Sequence, residues 1–398
     1  MSDHTTAPAS VAEVIERIRE IQPLLREQAP IGDAERCVTP VAMEAIRKTG
    51  ALRVGVPKRL GGLEGSTQDM LDVSAAIGYA DGGAAWVTTL ANVCGWLASL
   101  FPLQVQKEIW GSDPDTVVTG VLAPTSQAQR VEGGYRVTGK WGYNSGSYQA
   151  GWAGVGIPIV NDEGQLVNQG LVVIPRSDYE IEDTWHVVGM RGSASNTIVV
   201  NDVFVPDHRV MLMSDAIPGN YLNEKLAEEP AHRTAFVPVL ALVLIGTQLG
   251  LARAAFNYVL ERTHTKPISY SFFERAADST GVQIELARIA QTIDMAELLA
   301  RRAAGSIDDA AAAGTYPDLQ ERARTRADTG TVAELVLDAI NRLISLHGAG
   351  TFAEASPLQR IWRDANTAAR HAVVNPLISL ETYGKTLVGA TNHVTPLI

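Results

Sequence analysis

Two short stretches of the chain concentrate an aromatic ring, glycines and hydroxyls in a way that could do chemistry. The first is Gly139-Lys140-Trp141-Gly142-Tyr143-Asn144-Ser145-Gly146-Ser147. The second is Trp185-His186-Val187-Val188-Gly189-Met190-Arg191-Gly192-Ser193-Ala194-Ser195-Asn196. Small residues let backbone amides approach a ligand, and serine hydroxyls both donate and accept hydrogen bonds. Such a surface suits a planar ring system with polar edges. The competing reading makes Trp141 and Trp185 core aromatics and the glycines and serines ordinary turn residues.

Commoner chemistries lack their residues. No G-x-G-x-x-G stands between a strand and a helix, and Gly61-Gly62-Leu63-Glu64-Gly65-Ser66 has no phosphate-binding lysine, which sets aside Rossmann and P-loop enzymes. Gly142 to Gly146 reads G-x-x-S-G, whereas a nucleophile elbow needs G-x-S-x-G. The eight histidines are scattered and form no His-Glu-x-x-His, so no metal site is expected.

The elements that must position these stretches follow from periodicity and punctuation. Ser10 can cap a helix whose Val11, Val14, Ile15, Ile18, Leu24 and Leu25 share a face. Pro40–Lys48, Thr67–Ala80 and Ala84–Leu100 continue as helices, giving a helical domain over 1–115. Short β-type runs with turn residues between them then predict a β domain over 116–225. They are Thr116–Val121, Tyr135–Val137, Ala153–Val160, Gly170–Pro175 and Thr197–Val205, the last broken at Asn201-Asp202. The polar stretch Ser214–Arg233 reads as a loop or lid. Over 226–398 the stripes Leu286, Ile289, Ile293, Ala296, Leu299 and Val332, Leu335, Val336, Ala339, Ile340, Leu343, Leu346 predict a helix bundle, with Ser306–Gly314 as a helix end and turn.

Composition bounds the partners. Of 398 residues 46% are hydrophobic and 19% charged, as in a soluble globular protein. The longest apolar run, Phe236–Leu251, falls short of the roughly 20 residues of a membrane span and is interrupted by Pro238, Gly246 and Gln248. With a net charge of −11 and no basic stripe, nucleic acid is excluded as a partner. Met1–Ser10 lacks the basic and apolar regions of a signal peptide, and Cys37 and Cys94 stand far apart, so a reducing cytoplasm is expected.

Four motifs resemble the acyl-CoA dehydrogenase superfamily, and within it the two-component flavin-dependent monooxygenases. They are Val56-Pro57-Lys58-Arg59-Leu60-Gly61-Gly62; Trp141 to Gly146; Ile174-Pro175-Arg176-Ser177 through Trp185 to Val205-Pro206; and Ser356-Pro357-Leu358-Gln359-Arg360-Ile361-Trp362-Arg363-Asp364 followed by His371. The likeness covers nearly the whole chain and is nearest to oxygenase components acting on phenolic steroid fragments, hydroxyphenylacetate and aromatic polyketides, with dibenzothiophene monooxygenase more distant. It implies an α+β, mostly α fold: an N-terminal helical domain, a middle β-barrel-like domain and a C-terminal four-helix bundle, assembled as a homotetramer.

By the same resemblance, reduced flavin (FMNH₂ or FADH₂) arrives from a separate NAD(P)H-dependent reductase. It reacts with O₂ to a C4a-hydroperoxyflavin and passes one oxygen to a small substrate. His371 matches the active-site histidine and Ser145 a serine beside the flavin N5/C4a edge. Trp141, Tyr143 and Trp185 match residues around the flavin ring, Ser193 and Ser195 a flavin-contacting turn, Arg262 a phosphate contact in Tyr-x-x-x-Arg spacing, and Arg363 a weaker contact or an internal ion pair. Cys94 and Trp96 fall in a substrate-facing helix where several phenol-hydroxylating relatives carry a histidine. A thiol is a poorer base than imidazole at neutral pH, so an amine or other heteroatom substrate stays open beside a phenol. An acyl-CoA dehydrogenase needs a positioned carboxylate, yet Arg233–Leu260 and Ala368–Pro376 contain no Asp or Glu. That activity, and a catalytically idle scaffold, are the alternatives.

Overall fold

A computed structural model of the chain describes residues 7–392 and 394–398, so part of the Met1–Ser10 stretch read against a signal peptide lies outside the described residues. Helix α1 (Val11–Glu35) opens as its sequence dictates: the Ser10 hydroxyl accepts from the Glu13 amide at 3.3 Å, and Val14, Ile18 and Leu25 are fully buried. After α2 (Pro40–Thr49), a reciprocal Ser66–Asp69 capping box starts α3 (Thr67–Gly78). Helix α4 (Gly82–Ser99) is apolar all round and buried at every position but Leu90, which makes it the central helix. A short α5 (Leu103–Trp110) completes this part.

The β segment forms two open four-stranded sheets. One has the order β1 (Val117–Val121), β4 (Ala150–Val160), β5 (Leu166–Pro175), β8 (Val210–Leu212); the other is β2 (Ser126–Val131), β3 (Gly134–Asn144), β7 (Asn196–Pro206), β6 (Glu180–Glu182). Among the described residues only β1 with β4 is parallel. Among the described residues no strand pairing joins the two sheets, so the barrel-like part is a sandwich packed around Trp141, Val155, Ile157, Val172 and Ile198. The strand β7 runs through Asn201-Asp202: Asp202 takes φ 51° at a register shift, so the expected break is a bulge.

Beyond α6 (Met213–Ala216), the stretch expected as a lid is fastened down. Leu222 N donates to Leu100 O at 2.9 Å, Leu103 N to Glu224 Oε2 at 3.0 Å, and Tyr221 Oη to Thr234 O at 2.7 Å. Helices α7 (Phe236–Leu242) and α8 (Ile245–Thr263) follow. Together, Phe236–Thr263 is long and apolar enough to cross a membrane, contrary to the sequence expectation, but 78% of its most apolar window is buried in the fold. Helix α9 (Thr280–Ala313) absorbs the expected turn at 306–313 and stops only at Gly314, φ 68°. With α10 (Leu319–His347) and α12 (Pro376–Leu387) these form the bundle, and α11 (Pro357–Ala368) packs on both α8 and α4. One continuous core runs from Val11 through α4, α8 and α10 to Val374.

Candidate active site

At the end of β3 the backbone turns sharply, with Tyr143 at φ 65° and Gly146 at φ 70°, and delivers Ser145 to α4. Trp86 Nε1 donates to Ser145 Oγ at 3.0 Å. Ser145 Oγ lies 2.8 Å from Ser195 Oγ, which lies 2.7 Å from Ser193 Oγ. Two further bonds knit the two serine segments to the fold: Gly146 N to Ser193 O at 2.8 Å, and Thr119 Oγ1 to Ser145 O at 2.7 Å. Because Ser145 already accepts the indole proton, its own hydrogen can pass to Ser195 or to a ligand.

The Trp86 ring also meets His371, tilted, with ring centres 5.9 Å apart. His371 stands just past α11; its Nδ1 accepts from Val373 N at 3.4 Å, so in the neutral ring the proton sits on Nε2. Burial lowers this imidazole to about 4, and at neutral pH it is an uncharged hydrogen-bond donor. Beside the serines, Tyr143 is 76% exposed and meets Trp185 edge-on at 5.8 Å, while Trp185 Nε1 donates to Met190 O at 2.8 Å.

The 185–196 loop owes its shape to close contacts below it. Met190 and Ala194 adopt φ 55° and 45°, and Met190 N donates to Asp364 Oδ1 at 2.6 Å. A Cβ on Gly189 would fall 2.2 Å from Arg363 O. Burial, reinforced by the Asp81 and Asp33 carboxylates, pushes Asp364 up to about 7. Arg363 Nη2 pairs with Asp33 Oδ2 at 3.0 Å, and its Nη1 donates to Val188 O. It is an internal ion pair, with Asp33 and not with the neighbouring Asp364.

Four expected residues stand apart from this cluster. Trp141 is 0% exposed inside the sandwich with its Nε1 on Gly156 O at 2.8 Å, so it is a core aromatic, and its ring is too enclosed to face a ligand. Cys94 is buried against Gly120 and pushed up to about 12, and Trp96 is buried between Tyr221 and Phe236. Arg262 stacks 3.4 Å over Tyr258 on the wall of a cavity of about 500 Å³. That cavity also holds Arg26, Arg360, Asp81 and Asp364 but none of the three serines. Sequence reasoning missed Trp86, the link between Ser145 and His371. Its signal is the Gly82-Gly83 start of α4, where Gly83 approaches Gly192 closely.

The acyl-CoA dehydrogenase, C-terminal domain model matches residues 242–376. The oxygenase subunit HsaA of Rhodococcus jostii (strain RHA1), a flavin-dependent monooxygenase, is 32% identical over 93% of this chain and 97% of its own. The chain belongs to the oxygenase components of flavin-dependent monooxygenases. The p-hydroxyphenylacetate 3-hydroxylase oxygenase component of Acinetobacter baumannii is 27% identical over 96% of this monooxygenase and 91% of its own length. The structure of XiaF from Streptomyces sp. in complex with FADH2 and glycerol superposes with a TM-score of 0.91 at 35% identity, covering 97% of each chain.

A flavin is the cofactor of this monooxygenase family, and the residues present fit one. The Tyr143–Trp185 pair exposes aromatic surface beside a buried run of hydroxyls, and the adjoining Asn144 Oδ1 is buried without a hydrogen-bond partner among the described residues. Ser145, Ser193, Ser195, Tyr143 and Trp185 would hold its ring system.

Proposed function

We propose that the chain hydroxylates a small aromatic substrate, drawing its reduced flavin from a separate NAD(P)H-dependent reductase. The observation that carries this reading is the hydroxyl run Ser145–Ser195–Ser193 joined through Trp86 to His371. Bound reduced flavin and O₂ supply the oxygen atom. Ser145 would present its hydroxyl to the flavin ring, and the neutral His371 would donate a hydrogen bond from Nε2 toward the reacting oxygen. The buried serines would leave little room for bulk water on the side of the ring they face.

Arg262, with Arg26 and Arg360, is assigned to the flavin phosphates in the 500 Å³ cavity, a guanidinium role. FMN and FAD both remain compatible with it. Ile284, Met295 and Leu298 recur on one exposed face of α9, which supports a homotetramer built through the bundle. The free thiols of Cys37 and Cys94 support a reducing, cytoplasmic setting. The division into 1–115, 116–225 and 226–398 is supported by the change from α5 to β1 and by the irregular stretch between α6 and α7.

The deciding experiment mixes the protein with chemically reduced FMN, then FADH₂, and oxygenated buffer in a stopped-flow instrument. Bound flavin should re-oxidise more slowly than free flavin and in resolved phases. Oxidation identical to that of free flavin would refute the reading.

A further inference from the structure

Asp364 belongs to two parts of the molecule at once. Its carboxyl lines the arginine cavity, and its Oδ1 accepts from Met190 N at 2.6 Å, in the loop that carries Ser193 and Ser195. The other oxygen, Oδ2, lies beside Gly82, which is also on the cavity wall; a Cβ there would fall 3.0 Å from it. With Oδ1 committed to the loop, Oδ2 is the atom left to answer what enters the cavity.

The three arginines of that cavity are held ready for an anion. Arg26 stacks 4.9 Å over Tyr79 and Arg262 3.4 Å over Tyr258. A ring face orients a guanidinium without spending its N–H donors, and here the one further contact of Arg262 is long, Nη1 to Tyr258 O at 3.5 Å. Among the described residues neither these two nor Arg360 closes an ion pair.

The same wall carries three carboxyls, Asp81, Glu261 and Asp364. With all three ionised they cancel the arginines, and a phosphate monoester of about −2 would meet a buried carboxylate with no net attraction to offset the repulsion. With Asp364 protonated a positive excess remains, and the carboxyl itself gains an O–H to donate. Asp364 is 3% exposed. Burial favours its neutral form and the Asp81 and Asp33 carboxylates add to that, while Met190 N and Arg360 oppose it; the balance, at about 7, lets an incoming anion decide its state. The remaining charges around it are committed. Asp33 pairs with Arg363 at 3.0 Å and lies 3.9 Å from Arg191, and Asp81, itself raised by burial, accepts from Gly83 N at 2.9 Å.

We propose that Asp364 is a member of the phosphate site, and that a flavin phosphate enters the arginine cavity together with a proton that settles on Asp364 Oδ2. The proposal rests on the flavin reading above. In the step one O–H bond forms on the carboxylate, the proton comes from solvent, and no oxidant or reductant is needed. The sign follows: an anion beside Asp364 raises its pKa, so binding takes up a proton and affinity falls as pH rises above the value of the empty site.

The test compares FMN with riboflavin, which has the same ring and no phosphate, each chemically reduced and titrated anaerobically into the full chain. The ratio of the two dissociation constants cancels any ionisation of the ring. In the wild type the preference for FMN should fall about tenfold between pH 7 and 8.5. The phosphate's own second ionisation, near about 6, acts in the opposite sense, since a fuller negative charge binds arginines more tightly. Asp364→Asn, neutral throughout, should hold its preference for FMN constant over that range. A wild-type preference that does not fall with pH, or a fall that persists in folded Asp364→Asn, would overturn the proposal and leave the flavin reading standing. FMN bound no more tightly than riboflavin would overturn the phosphate assignment of the cavity as well, and binding of neither flavin would remove the oxygenase reading beneath both. The wild-type ratio decides even where the variant does not fold.

Discussion

His371 and Asp364 lie seven positions apart and are shifted in opposite senses by the same cause, burial. A neutral imidazole is driven toward staying neutral, and so is a carboxyl, which places the first at about 4 and the second at about 7. For His371→Ala, product formation should be lost while O₂ consumption continues and peroxide is released; unchanged coupling of product to O₂ would remove it from the chemistry. For Asp364 the linkage runs through its raised value. Below an ordinary carboxylate pKa of about 4 the folded and unfolded chains are both protonated, and the full stability is present. As pH rises to about 7 the unfolded chain releases its proton first, so stability falls. Asp364→Asn keeps an acceptor for the Met190 amide and cannot ionise. Its melting temperature, measured from pH 5 to 8, should decline less than that of the wild type and exceed it at the upper end.

The element that carries most of the site is the 185–196 loop, and its seat on α11 is as tight as backbone contacts allow. Gly189→Ala would drive a methyl into Arg363 O and Thr367 Oγ1, at 2.2 and 2.4 Å. Relief requires the loop to lift, carrying Ser193 and Ser195 with it, and flavin affinity measured by titration should fall about tenfold or more, equivalent to about 1.4 kcal/mol. This seat was not legible in the sequence, because Gly189 reads as a turn glycine until Arg363 is placed beneath it. The capped start of α1 at Ser10 and the bounds of α3 were legible to within a few residues, while the last ten residues of α1 carried no stripe to announce them. The strand β2, Ser126–Val131, was not: its polar alternation carries no apolar signal, and it forms because it pairs with β3. Ser145, Ser193 and Ser195 were found by local composition, which is how a loop-built site announces itself. Trp86 escaped because its role depends on which distant side chains it meets, Ser145 and His371.

At the scale of the whole molecule, the exposed stripe on α9 has a consequence for assembly. Leu298 is 68% exposed, and Met295 and Ile284 join it on one face. Apolar side chains aligned on a bundle surface mark a contact region. Leu298→Lys should shift the protein to a smaller species in light scattering coupled to gel filtration, with the far-ultraviolet circular dichroism unchanged. The shared core has a different consequence, for synthesis. Because α4 buries part of its surface against α8 and α11, that part of the N-terminal core closes only after those later helices have been made. The β sandwich, with its own core around Trp141, is the part that can settle while the chain is still growing.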